Sequence, residues 1–254
     1  MLATWSLEGM GGLGRSIVRW MAERGARQFL ILSRSGISTP QARRLVCELE
    51  LMGVTVHAAK CDISVAEEVS SIVAKYSQKL TIKGVVHAAV SLQDLSFDKL
   101  TVEQWRAGLA AKVQGAINLH ESTKALSLDC FVIITSLVSV LALATQSAYT
   151  AASNFQEMSA RYRRRLGLKA STISCGLVTN VGQFSTDDTA RALMARNRVL
   201  GMAEYEFLRL LELAFINDCF GSADDEAEGS LVRCSGRPSL RCWYHHLSRS
   251  AWYG

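Results

Sequence analysis

The sequence predicts an α/β fold, a doubly wound parallel sheet with helices on both faces. Three observations carry this. Short runs rich in Val, Ile, Leu and Ala alternate with longer stretches of helical period, and strands buried on both faces lose the in–out alternation of half-exposed ones. A glycine-rich turn, Gly9-Met10-Gly11-Gly12-Leu13-Gly14, links the first apolar run to the first helical stretch. Helix start and stop signals then recur between the later runs, the rhythm of strand–helix–strand units. Only two prolines occur, Pro40 and Pro238, and no Pro- or Gly/Ser-rich linker divides the chain, so a single domain is expected.

The elements follow in order. Leu2–Leu7 is the first predicted strand. Gly12–Arg24, with Ile17, Val18, Trp20 and Met21, is the first helix. Gln28–Ser33 is the second strand. Thr39–Met52 is helical, with Thr39 as its cap, Pro40 in its first turn and Gly53 as its stop. Val54–Cys61 is the third strand. Ser64 and Glu67 have capping-box spacing before a helix over Val65–Tyr76, and Thr101 and Gln104 repeat that spacing before one unbroken helix over Val102–Ala125. Gly84–Ala89, Phe131–Thr135 and Ala170–Cys175 complete the strands. Tyr149 opens a long helix that runs to Leu166 and stops at Gly167. Beyond Cys175 the rhythm breaks. Gly176–Gln183 is a loop, Glu204–Phe215 is helical, Ser222–Gly229 is acidic and exposed, and Arg233–Gly254 has no clear period. The domain is drawn over residues 1–217, with 218–254 left as an unassigned tail.

Composition narrows the function classes. Hydrophobic residues make up 49% of the chain and charged residues 20%, enough apolar material for a sizeable core. The net charge of +5 is mildly basic. It suits an anionic cofactor or an acidic partner and lacks the dense basic footprint of a nucleic-acid binder. The seven cysteines form no CxxC pair and their number is odd, so a reduced, cytoplasmic chain is expected. No signal peptide stands at Met1, and no apolar run reaches the ~18 residues of a membrane span.

Four groups of residues bear on ligand binding. Gly9, Gly11, Gly12, Leu13 and Gly14 are candidate cofactor residues, because glycines let a backbone approach a pyrophosphate and a helix N-terminus supplies N–H donors. Ser33 and Arg34 end the second strand. A binder of unphosphorylated dinucleotide places an acid here, whereas Arg34 offers a cation for a 2′-phosphate and so predicts NADPH; a plain surface arginine is the alternative. Asp62 can accept from an adenine amino group or cap the turn Asp62-Ile63-Ser64, and both can hold. His87 and Ala88 end the fourth strand, where small residues let backbone lie against a cofactor. No His, Cys or Asp stands at ligand spacing from His87, so no metal site is expected.

Ser136, Lys112 and Tyr149 carry the chemistry. Tyr149 lies thirteen positions after Ser136, and Lys112 lies twenty-four before it. A tyrosine is a poor acid at neutral pH, with a free pKa of ~10. A nearby ammonium lets it give up a proton more easily, and a serine hydroxyl can hold a carbonyl oxygen on which charge develops. Each alone has a bland explanation: a snorkelling lysine, a core tyrosine. Together, at strand and helix ends, they suit carbonyl reduction.

From about Gly9 to about Asn217 the chain resembles the Rossmann-like short-chain dehydrogenase/reductase superfamily, and more closely the ketoreductase domains of fungal highly reducing polyketide synthases. The resemblance rests on Gly11-Gly12-Leu13-Gly14-Arg15-Ser16, Leu32-Ser33-Arg34-Ser35-Gly36, Gly84-Val85-Val86-His87-Ala88-Ala89, Leu92-Gln93-Asp94, Lys112-Val113-Gln114-Gly115, Ser136-Leu137, Gln146-Ser147-Ala148-Tyr149 and Gly176-Leu177-Val178. It implies a catalytic lysine upstream of the serine, which Lys112 matches, with Tyr149 as general acid and Ser136 polarising the carbonyl. It also implies hydride from NADPH to a β-ketoacyl thioester on an acyl carrier protein domain, other synthase domains as partners, and no nucleic acid or membrane. Leu92-Gln93-Asp94 falls where the family carries a stereochemical marker, and the segment around Gly182–Arg198 falls where it has a lid. Glu8 stands at the family's first turn glycine, and Ser153, four after Tyr149, stands where asparagine is usual, with Asn154 one residue late. The alternatives are a stand-alone reductase of a free ketone and a degenerate ketoreductase that does not turn over. The run Arg161-Tyr162-Arg163-Arg164-Arg165 is either a docking patch for an acidic carrier domain or the solvated face of a helix.

Overall fold

A computed structural model of the chain describes residues 3–8, 11–91, 95–140, 144–181 and 201–220. Six strands form one parallel sheet: β1 (Ala3–Glu8), β2 (Gln28–Ser33), β3 (Thr55–Lys60), β4 (Thr81–His87), β5 (Cys130–Ser136) and β6 (Ser171–Cys175). Their order across the sheet is β3-β2-β1-β4-β5-β6. The order reverses between β1 and β4, and such a switch point opens a crevice at the C-terminal strand ends. Glu8 ends β1 beside Leu32 of β2 and His87 of β4, and Ser136 ends β5 beside Cys175 of β6. The glycine turn, Arg34, His87 and Ser136 therefore leave the sheet along one edge.

Both faces of the sheet are apolar, which is why the strands show no alternation in sequence. In β2, Phe29 and Ile31 pack on one side with Ile17 and Met21 of α1 (Gly12–Glu23), Leu45 of α2 (Pro40–Leu51) and Leu211 of α7 (Glu204–Phe220). Leu30 and Leu32 pack on the other with Val69 of α3 (Ala66–Ser77), Leu119 of α5 (Gly115–Thr123) and Ala160 of α6 (Ser147–Arg165). The expected boundary at 217 falls inside α7, and residues 221–254 lie outside the described residues. Near the end of α7, the buried Asp218 carboxylate accepts from the Phe131 N–H at 2.8 Å and from the Ser171 hydroxyl. It thereby ties the starts of β5 and β6 together. No helix among the described residues is long and apolar enough to cross a membrane.

Three sequence expectations change. β4 begins at Thr81, three residues earlier than expected. The helix predicted as unbroken over Val102–Ala125 is three pieces: α4 (Val102–Leu109), a π turn over Ala110–Gln114, and α5. Helix-weakening glycines, Gly108 and Gly115, stand at either side of the π turn, and its extra residue per turn re-phases the helix so that Lys112 is buried. A Cβ on Gly115 would stand 2.5 Å from Ile63 Cδ1, so that side chain would have to shift. The Ser64–Glu67 capping box does not form: Ser64 donates its hydroxyl to Asp62 instead, and α3 starts one residue later than expected, at Ala66. The Thr101–Gln104 box does form, with bonds of 3.2 and 3.0 Å.

Candidate active site

Lys112 sits in the π turn and is 2% exposed. Its Nζ donates to the Ile134 carbonyl of β5 at 3.2 Å and to Gln156 Oε1 of α6 at 2.8 Å. It also lies over the Tyr149 ring, 5.1 Å from the centroid. Burial holds its pKa down to about 8, opposed only weakly by the nearby Cys175 sulfur. The same burial pushes the Cys175 thiol up.

Tyr149 is the third residue of α6, and Thr145 ends the turn that feeds the helix. Thr145 has φ 67, a left-handed conformation costly for a β-branched side chain and most often found at functional sites. From α6 a series of bonds reaches the end of β5. The Thr135 hydroxyl donates to the Ser153 carbonyl at 3.1 Å, and Asn154 Nδ2 donates to the Ser139 carbonyl at 3.2 Å. The buried Glu157 carboxylate accepts from Ser139 at 2.6 Å and from Ser174 at 2.9 Å. Ser136 follows Ile134 and Thr135 on β5, and its hydroxyl accepts from the Val138 N–H at 3.4 Å. The structure thus pairs Lys112 with Tyr149 and sets Ser136 two residues beyond the carbonyl that anchors the lysine. Such an arrangement can pass a proton to a carbonyl oxygen held at the end of β5.

The other half of the edge can hold a dinucleotide. Gly11 caps α1 without a side chain, and nothing among the described residues lies within 4 Å of where its Cβ would be. No side chain caps the N-terminus of α1, and no acidic residue stands in its first turn. Gly14 is buried, as close packing of helix on strand requires. Arg34 is exposed beyond β2, and the hydroxyls of Ser33 and Ser35 meet at 3.3 Å. Asp62 Oδ1 accepts the Ser64 hydroxyl and N–H at 2.7 and 2.9 Å. These bonds, the hydroxyl's first, hold its carboxyl below the usual range, and Arg34 adds to the effect. The capping role of Asp62 is therefore filled through one oxygen. His87 is fully buried and Ala88 half-buried. Gly9, the Leu92-Gln93-Asp94 marker and the expected lid from Gly182 lie outside the described residues, as does the direction of the Glu8 side chain. No cluster of possible metal ligands occurs among the described residues.

The arginine run needs correcting. Arg163 is 1% exposed, with its guanidinium 3.8 Å from the Phe131 ring centroid and bonded to His120 and the Lys169 carbonyl. Arg164 donates to the Ala170 carbonyl. The run is neither one docking patch nor one solvated face, because successive helix residues point about 100° apart. Sequence reasoning also missed Gln156 and Glu157. A signal existed: with Ser153 they place polar groups within the buried stripe Ala148, Ala152, Ala160.

A parallel sheet with its switch point between β1 and β4, and a lysine–tyrosine pair beyond β5, fit the short-chain dehydrogenase/reductase class. The profile of the KR domain family matches residues 7–180. Prosolanapyrone synthase of Alternaria solani is 56% identical over 210 residues, covering 83% of this chain and 8% of that protein. The highly reducing polyketide synthase xilA of Penicillium crustosum is 41% identical over 212 residues, covering 83% of this chain and 9% of its own. Among solved structures, an A1-type ketoreductase is 33% identical with a TM-score of 0.80, over 85% of this chain and 46% of that one. The chain belongs to the KR family and is a ketoreductase domain of the highly reducing polyketide synthase kind. It spans less than a tenth of the length of these synthases.

Proposed function

We propose that the chain reduces a β-ketoacyl thioester, presented by an acyl carrier domain, to the β-hydroxyacyl thioester at the expense of NADPH. The observation that carries this is the buried Lys112 ammonium 5.1 Å from the centre of the Tyr149 ring. Charge in a dry site acts on its neighbour far more strongly than in water. The ammonium favours the Tyr149 phenolate and so makes the phenol a usable acid. The Tyr149 O–H passes its proton to the oxygen of the former ketone, and the Ser136 hydroxyl holds that oxygen as charge grows on it. What the dinucleotide supplies when bound is hydride for the carbonyl carbon. Gly11, Gly12, Leu13 and Gly14 would hold its pyrophosphate and Arg34 its 2′-phosphate. His87 and Ala88, at the end of the neighbouring strand, would lie against it.

The complete first strand supports the active reading over a degenerate one. β1 pairs with β4 over all six of its residues and with β2 over Thr4–Glu8, so the turn at Glu8 starts from a full-length strand. The names of the synthase relatives support a tethered substrate over a free ketone. The cysteine pattern, with Cys47, Cys61, Cys130 and Cys175 as free thiols, supports a reducing, cytoplasmic setting. Following NADPH oxidation with a β-ketoacyl thioester mimic and with simple ketones tests the reading. Turnover of the thioester well above the ketones is expected. Equal rates favour the free-ketone reductase, and NADPH binding without turnover of either favours the degenerate form.

A further inference from the structure

We propose that Gln156 is a positioning residue for this reaction: its side-chain amide holds the Lys112 ammonium against Tyr149, from the helix that carries Tyr149. The reaction itself rests on the reading above; the Lys112–Gln156 link rests on geometry. Lys112 and Gln156 are 2% and 0% exposed, and Nζ to Oε1 is 2.8 Å. The direction of the amide is fixed, because an ammonium only donates and the atom facing it must be the oxygen.

Helix geometry makes Gln156 suited to the task. It lies seven residues after Tyr149, two turns or about 10 Å along the same face. Side chains on a helix lean toward its N-terminus, so Gln156 reaches back toward the tyrosine. Ser153, on the turn between, is fully buried, yet its hydroxyl bonds to none of the described residues. It is therefore not the group that holds the lysine. Glu157 adjoins Gln156 in sequence, but its carboxylate is turned to Ser139 and Ser174.

The chemistry of the acceptor matters as well. Among the described residues no carboxylate pairs with Lys112; its two partners, the Ile134 carbonyl and the Gln156 amide, are both neutral. A carboxylate here would cancel the field that acts on the phenol. An amide fixes the ammonium in place and leaves its charge whole. The ionisable groups facing it are Cys175 from β6 and Tyr149 from α6, while β5 offers it a carbonyl.

The test uses the full chain labelled with ¹³C at the lysine side chains, with Lys112→Met to assign the signal. The Lys112 titration midpoint is read by NMR beside the pH profile of thioester reduction. Gln156→Leu removes an acceptor from the charged form, so the midpoint, about 8 in the native chain, drops by about one pH unit. Gln156→Glu adds a counter-charge and raises it by about as much. Each variant loses about tenfold in kcat, with NADPH affinity within about twofold. Opposite shifts from one position are not what a packing defect produces. The nearly isosteric Gln156→Glu decides by itself if Gln156→Leu does not fold. A midpoint unmoved in the folded variants overturns the inference, even where the native chain turns over. Shifted midpoints in a chain that binds NADPH but never turns over support the link and overturn the reaction assigned above.

Discussion

The two halves of the active edge are built in opposite ways. Around β5 and α6, side chains do the work and are locked. Lys112, Gln156, Glu157 and Thr135 are buried, and each is bonded across elements. Around β1 and β2, the backbone does the work and stays open. Gly11 has no neighbour among the described residues where a side chain would stand, and Arg34 is exposed. The difference suits the two tasks that the proposed reaction sets. Tuning a phenol requires a charge fixed in a low-dielectric site, where a small misplacement is costly. Binding a dinucleotide requires N–H donors and a cation that can meet phosphate without burying their own charge first. Changes in the first half should therefore strike kcat, and changes in the second should strike affinity.

The largest expected effect tests the first half alone. Tyr149→Phe removes the acid and keeps the ring under Lys112. Reduction should fall about 10³-fold, within the range of a lost general acid, while NADPH affinity stays within about twofold. Steady-state rates and a fluorescence titration check both. Near-native turnover would remove Tyr149 from the mechanism, and a matching loss of cofactor affinity would show that the halves are not separable.

Arg34→Glu is the counterpart in the second half. A charge-assisted hydrogen bond to phosphate is lost and a repulsion added, so NADPH affinity should drop about 30-fold or more. NADH affinity should change little, and kcat at saturating NADPH should hold. Equal losses for the two cofactors would mean that Arg34 does not read the 2′-phosphate.

The halves should also part in their response to pH. Lys112 loses its proton at about 8 in the fold, against an ordinary 10.5. Thioester kcat/KM should therefore fall about tenfold for each pH unit above that point, since it reports the free enzyme. Stability moves the other way. Below the folded value both states carry the proton, and the cost of burying the charge is at its fullest. Between about 8 and 10.5 the folded chain has released the proton and the unfolded chain still holds it, so this group adds stability as pH rises. The difference in denaturant stability between the native chain and Lys112→Met isolates that slope. NADPH affinity should stay flat across the same window, because Lys112 belongs to the other half of the edge.

The same contrast explains what the sequence made legible. Five of the six strands lie within about two residues of their expected spans, because both faces of the sheet are apolar and the runs stand out. The glycine turn was legible because its requirement is local: backbone without side chains, between a strand and a helix. The Lys112–Tyr149 pairing was legible only through spacing shared with a family. Its support was not, because Gln156 meets Lys112 across forty-four positions and the π turn that aims the lysine follows no capping or periodic signal. Arg163 shows the opposite error, in which a charged run suggests surface until Phe131 and His120 are seen to enclose its middle member.

The smallest expected effect is the most direct test of how the open half is built. Gly11→Ala places a methyl group at the cap of α1. The described fold has no objection to it: φ is −66° and ψ 178° there, which alanine adopts freely, and no atom of the described residues lies within 4 Å of the new carbon. Thermal stability should therefore hold, or rise slightly as the unfolded chain loses freedom. The space that is open to the protein is the space through which a pyrophosphate would approach the helix N-terminus, so the methyl should weaken NADPH binding about fivefold by crowding it. Calorimetry of unfolding and a binding titration separate the two. Lost stability with unchanged affinity would make Gly11 a residue the fold needs, whereas the reverse pattern marks a glycine kept for a ligand.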